Sequence, residues 1–161
     1  MEKEKLIFHE CRAAGLVFET VSDWTDWLKE HKYDINKPLA EHDGFKYTIN
    51  DVCINPHIME RKADTGSYFA AKTANTQYGW IWGYGISLSC SGSGSPAGYP
   101  SRYDKSAIFY ETEKQALYDA LSFIIRQMEN RKQQTKDTKV LAWIAKKERM
   151  NIIHPQMELF K

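Results

Sequence analysis

An α+β fold is expected: a small antiparallel sheet packed on a C-terminal helix, with extra helices at both ends. Two stretches predict it. In residues 78–91 the even positions Tyr78, Trp80, Trp82, Tyr84, Ile86, Leu88 and Cys90 are apolar. The odd positions are mostly Gly and Ser. A period of two sustained this long is a strand with one apolar face. Further on, Thr112-Glu113-Lys114-Gln115 spells a capping box, in which Thr112 and Gln115 each satisfy a free backbone donor. The helix it opens carries Leu117, Leu121, Ile124 and Met128 on one stripe and ends near Asn130.

The remaining elements follow in chain order. Lys3 to Ala14 reads as a helix or as a segment that starts with a strand. Ser22 is a good N-cap, with Asp23 and Asp26 in the first turn and Trp24, Trp27 and Leu28 as an apolar stripe, so a helix spans 23–31. Phe45, Tyr47 and Ile49 alternate with polar residues, and then the phase shifts to Val52 and Ile54. Asn50-Asp51 marks a bulge or tight turn at the shift. Tyr68-Phe69-Ala70-Ala71 reads as a short strand within a polar stretch. Ser91 to Pro100 has the Gly, Ser and Pro density of a loop, and Ala107 to Tyr110 reads as a strand. After a basic stretch from Arg131 to Lys136, the residues Val140, Leu141, Ile144 and Ala145 predict a lysine-rich helix up to Met150.

The chain thus divides into an N-terminal helical segment (1–44), a β-β-β-α core (45–130), a basic helix (131–150) and an extended tail (151–161).

Composition bounds the function. A chain of 161 residues suffices for one domain with a proper core. The net charge is +1, so no global basic field argues for nucleic acid. Aromatic residues at 13% favour a packed domain over disorder. Cys11, Cys53 and Cys90 are odd in number and widely spaced, as expected of reduced thiols in a cytoplasmic protein. The start, Met1-Glu2-Lys3-Glu4-Lys5, is not a secretory leader, and no apolar run reaches membrane-spanning length. No membrane partner is expected.

No catalytic residue, metal site or cofactor is predicted. His9, Glu10 and Cys11 are adjacent and do not converge on one ion, while His31, His42 and His57 lack paired spacing. Asp43, Asp51, Glu60 and Asp64 are not set apart from surface acids. The Ser-Gly loop lacks the Lys-Ser/Thr ending of a phosphate-binding loop. Trp80, Trp82 and Tyr84 could stack single-stranded bases, but the same face continues into Ile86 and Leu88, which favours a core role. Gly79, Gly83 and Gly85 leave a strip without side chains, which either lies beneath another segment or is open to a partner's backbone. The loop from Ser91 to Tyr103 is expected to be mobile and to offer a second contact through Arg102 and Tyr103.

Two resemblances add to this reading. The run Gly79-Trp80-Ile81-Trp82-Gly83-Tyr84, the Ser-Gly loop and the helix with Ala116-Leu117-Tyr118-Asp119-Ala120-Leu121 are similar to an uncharacterised β-β-β-α module of phage and mobile-element proteins. That module implies no active site. The last residues, Gln156-Met157-Glu158-Leu159-Phe160, resemble the peptide with which bacterial proteins dock on the DNA sliding clamp: Gln, then Leu or Met, any residue, Leu, Phe. Gln156, Met157, Leu159 and Phe160 match its positions. Pro155 cannot continue a helix and biases His154 toward an extended backbone. Leu159 and Phe160 are an apolar pair in a charged tail, each worth about 1.5–3 kcal/mol on burial. The competing reading is a tail whose Leu159 and Phe160 pack back on the domain.

The resemblance implies a non-enzymatic accessory protein, recruited to the clamp or interfering with replication there. The alternatives are a nucleic-acid-binding module, which would make DNA a partner through the aromatic strand or the basic helix, and an enzyme of DNA metabolism.

Overall fold

The computed structural model describes residues 7–89, 91–102, 104 and 106–153. It is an α+β structure, as the alternation and the capping box predict. Its contacts divide the chain into two compact units, residues 1–55 and 56–161. The division falls after residue 55, whereas the apolar alternation suggested a core starting at 45.

The reason is visible in the first unit. Strands β1 (His9–Cys11) and β2 (Leu16–Phe18) form an antiparallel hairpin, and β3 (Ala40–His42) and β4 (Phe45–Tyr47) form another. Residue 45 therefore begins a strand that pairs with residues on its N-terminal side. The segment 1–44 is not simply helical: its one helix, α1 (Val21–Glu30), lies between the hairpins in sequence. Thr20, not Ser22, caps that helix, its hydroxyl accepting from the Asp23 amide at 3.0 Å. Asp43-Gly44 makes the second hairpin turn with φ of 51° and 80°. Left-handed residues at both turn positions match the twist of paired strands, which favours Asp-Gly. The phase shift at Asn50-Asp51 is a tight turn, with the Asp51 amide donating to Thr48 O at 3.0 Å and Asp51 at φ 59°.

Cys11, Phe18 and Ile49 form the core of this unit, with Trp24, Trp27, Leu28, Tyr33 and Leu39 packed around them. Asp51 ties its turn to the first hairpin. Its carboxylate accepts from the amides of Arg12 at 2.9 Å and Ala13 at 3.0 Å, and Cys11 Sγ lies 3.5 Å away. A buried carboxylate is tolerable where several donors satisfy it.

In the second unit, β5 (His57–Lys62), β6 (Tyr68–Thr76), β7 (Gly79–Ser87) and β8 (Gly92–Ser95) form an antiparallel sheet in chain order. Helix α2 (Glu113–Glu129) opens with the predicted Thr112–Gln115 capping box. It packs against β6 and β7, and α3 (Lys136–Ile153) packs against α2. Register explains the core. Phe69 pairs with Ile86 and Ala71 with Tyr84, so these residues share the face turned to α2. There Phe69, Ala71 and Ile86 meet Leu121, Ile124 and Met128 of α2 and Leu141 and Ala145 of α3. Helix α3 is thus part of this core rather than a separate basic segment.

Between the two helices, Gln134 Nε2 donates to the carbonyls of Met128 at 2.9 Å, Arg131 at 3.0 Å and Glu129 at 3.2 Å. That satisfies carbonyls a helix end leaves without partners. Thr135 and Thr138 then cap α3 reciprocally, each amide donating to the other's hydroxyl.

Three expectations in this unit are corrected. Tyr68–Ala71 is the start of a nine-residue strand, not a four-residue one. Gly92–Ser95 is the edge strand β8, paired with Ser87 to Tyr84, rather than loop. Glycine and serine hide this, because they offer no apolar face to alternate. Ala107–Tyr110 is not a strand: it makes only a bridge, with Trp80 N donating to Tyr110 O at 2.7 Å and Tyr110 N donating to Trp80 O at 2.9 Å.

Candidate docking site

Within the side-chain-poor strip, Gly79 and Gly83 lie beneath other segments and Gly85 does not. A β-carbon at Gly83 would stand 2.4 Å from Ala97 N and 2.5 Å from Pro96 C. The chain after β8 thus crosses the sheet face opposite α2, and Ala97 is fully buried there. Tyr78, Tyr99 and Phe109 form an aromatic cluster in this covering layer, with ring centroids 5.4–6.2 Å apart. Within the expected loop, Gly92–Ser95 thus pairs with β7 and Ala97 packs on the sheet. Arg102 is exposed beyond it, and Tyr103 lies outside the described residues.

The aromatic strand does not offer an open stacking platform. The rings of Trp82 and Tyr84 lie 5.3 and 4.7 Å from that of Phe123 on α2. Leu88 and Trp82 are partly buried against the main core, as their even spacing predicted.

The second unit carries an apolar groove of about 600 Å³. One wall is Ile108 to Glu111, the floor is Lys114, Gln115, Tyr118 and Asp119 of α2, and the other wall is Ile152 and Ile153 of α3. Ile108 and Ile153 are 56% and 52% exposed at its rim. Tyr110 is locked in place by its two backbone bonds to Trp80 and by its hydroxyl, which donates to Asp119. Burial and then that hydrogen bond push the Tyr110 pKa up to about 12, so it is a neutral donor rather than an acid–base group. A groove of this size, apolar with a few fixed polar groups, suits a small molecule or the side chains of a short peptide. Sequence reading missed it, because its walls come from three separate segments.

A smaller cleft of about 230 Å³ joins Leu88, Ser89, Arg131, Lys132, Asp137 and Thr138. Arg131 Nη1 donates to Ser91 Oγ at 2.9 Å, while its buried Nε has no partner among the described residues. Asp137 keeps a negative charge on the wall, since the hydroxyls of Thr65 and Ser67 donate to it at 2.6 and 2.7 Å and lower its pKa. That charge opposes an anionic ligand.

The acidic residues Asp43, Asp51, Glu60 and Asp64 do not form a site. Asp43 sits in a hairpin turn, Asp51 is committed to backbone amides, and Glu60 pairs with Lys62. Among the described residues no group of three or more His, Cys, Asp or Glu is placed to hold a metal ion. Burial, reinforced by the charge of Asp51, pushes the Cys11 thiol up to about 12, which makes it a poor nucleophile. Glu113 accepts from Thr73 Oγ1 at 2.9 Å and lies 2.6 Å from His57 Nδ1, an exposed polar cluster that sequence spacing did not reveal.

Gln156, Met157, Leu159 and Phe160 lie outside the described residues. The last described residue before them, Ile153, lines the apolar groove. No helix among the described residues is long and apolar enough to cross a membrane. No protein-family model matches the chain, and neither the curated proteins nor the solved structures compared with it give a match.

Proposed function

We propose that this chain is a non-enzymatic accessory protein of the phage and mobile-element type, which docks on the bacterial sliding clamp through Gln156, Met157, Leu159 and Phe160. The observation that carries the reading is the match of those residues to the clamp-docking pattern. Tethering raises the local concentration of the attached domain at replicating DNA or lets it compete with host factors for the clamp. Capture of the full-length chain on purified bacterial clamp tests this. A dissociation constant in the micromolar range is expected, about −8 kcal/mol, and no capture at tens of micromolar defeats it.

A second reading, direct contact with nucleic acid, draws on α3. Lys136, Lys139, Trp143, Lys146, Lys147 and Met150 are all exposed, and their spacing puts them on one stripe of the helix. Lys147 Nζ sits 5.2 Å from the centre of the Trp143 ring. A lysine stripe around an exposed indole suits a phosphate backbone with an unstacked base. DNA binding that weakens steeply with salt and is lost in Trp143→Ala would favour it over clamp docking.

A further inference from the structure

We propose that the outer face of α3 binds single-stranded nucleic acid in preference to a duplex, with one base stacked on Trp143 and the surrounding lysines on the phosphates. This rests on the nucleic-acid reading of α3 and names its ligand. The face is made by Lys136, Lys139, Trp143, Lys146, Lys147 and Met150, all exposed. At about 100° of turn per residue they fall within an arc of about 100°.

Both acids of the helix lie off that arc. Asp137 accepts from the hydroxyls of Thr65 and Ser67 at 2.6 and 2.7 Å, and Glu148 accepts from Arg61 Nε at 3.0 Å. These contacts turn the two carboxylates toward the β5–β6 hairpin and away from the lysines. From outside the helix, Glu129 of α2 pairs with Lys146 at the edge of the arc. The face therefore presents positive charge to a polyanion.

Charge alone does not choose among polyanions, but Trp143 does. Of the five tryptophans in the chain it alone is exposed, at 62%. Tryptophan is highly buried on average, and this one stands among lysines in the middle of a helix. The Lys147 ammonium lies over its ring, 5.2 Å from the centroid. That cation–π contact steadies the indole and sets a cation beside the place where a base stacks. An acidic peptide supplies the charge without a flat ring beside each one, whereas every base has a π-face. A duplex supplies phosphates, but its bases are stacked on one another, and taking one out costs unstacking. DNA and RNA single strands share both features used here.

The test is fluorescence anisotropy of labelled oligo-dT, oligo-U and a DNA duplex of equal length with the full-length chain, over a series of salt concentrations. Both single strands should bind about tenfold more tightly than the duplex. With Lys136, Lys139 and Lys147 each on a phosphate, log K should fall with log salt at a slope of roughly −2, about −0.7 per contact. Trp143→Ala should weaken single-strand binding at least about tenfold while duplex binding and the salt slope hold. Trp143→Phe keeps a ring and should retain most of the affinity. Lys139→Gln should flatten the slope by about 0.7. Circular dichroism checks that these exposed-site variants fold, and a purely structural role for Trp143 would lower duplex binding as well. Equal affinity for duplex and single strand, or unchanged affinity in Trp143→Ala, overturns the inference and leaves the nucleic-acid reading standing on phosphate contacts. Displacement of oligo-dT by an equal concentration of polyglutamate overturns it too, since an acidic peptide then fills the face. No binding of any of the three at low salt defeats the nucleic-acid reading itself, and the inference with it.

Discussion

Gly83 and Ala97 are in backbone contact across the covered face of the sheet, with the position of a Gly83 β-carbon only 2.4 Å from Ala97 N. No L side chain fits there without moving the segment that follows β8. Gly85, two residues on, is different: a β-carbon there meets only the Ala70 methyl group at 3.9 Å.

Gly83→Ala is therefore expected to destabilise the second unit by about 1–3 kcal/mol, the range for overpacking a tight site. Gly85→Ala should change stability little. Urea titrations of the two variants check this. Equal stability of both would mean that the 95–97 crossing does not press on the sheet.

Buried Cys11 makes stability fall at alkaline pH. Its folded pKa is raised, first by burial and then by Asp51, to about 12 against an ordinary thiol value of 9.0. The neutral form is the folded one, so its contribution is fully present below the ordinary value. It is lost as pH rises from about 9 toward 12. Urea midpoints of the first unit should decline over that range, and Cys11→Ala should flatten part of the decline. Alkylation of native protein at pH 8 should leave Cys11 unmodified by peptide mapping, since the thiolate is the reactive form.

Trp82 packs on Phe123, yet it is only partly buried. The even-position stripe alone would assign it a full core loss of about 3–5 kcal/mol on truncation. Because Trp82 is only partly buried, Trp82→Ala should cost nearer ~2 kcal/mol, as burial energy scales with the area removed from water. Single-stranded DNA should not protect its fluorescence from quencher. Strong protection would mean that Phe123 moves aside and the strand serves as a stacking surface.

How far the sequence reached depended on whether a residue's role is written in its neighbours. The capping box at Thr112 and the apolar period of β7 are local signals, and both stand in the structure. The Asp43-Gly44 turn is equally local: an Asp-Gly pair between short alternating runs marks a hairpin, a signal that grouping Asp43 with the surface acids does not use. Strand β8 was unreadable because Gly92 to Ser95 has no apolar face, and its identity comes only from pairing with β7. The groove was unreadable for a related reason. Ile108, Tyr118 and Ile153 are distant in sequence and meet only after α2 and α3 have packed.

The tail is the remaining prediction. Gln156, Met157, Leu159 and Phe160 match the clamp-docking pattern. Replacing Leu159 and Phe160 by Ala should abolish capture by a bacterial clamp, since such apolar anchors dominate short-peptide binding. Thermal stability should fall by no more than about 4 °C, since a docking peptide is not part of the core and substitutions outside a core cost about 0.5 kcal/mol or less. Calorimetry of the double variant beside the capture assay separates the cases. A fall in Tm well beyond that, with clamp capture unaffected, would make the pair part of the domain core and remove the basis for docking. Retained stability with lost capture would tie binding to the two side chains themselves, and restoring Leu159 alone should then recover only part of the affinity.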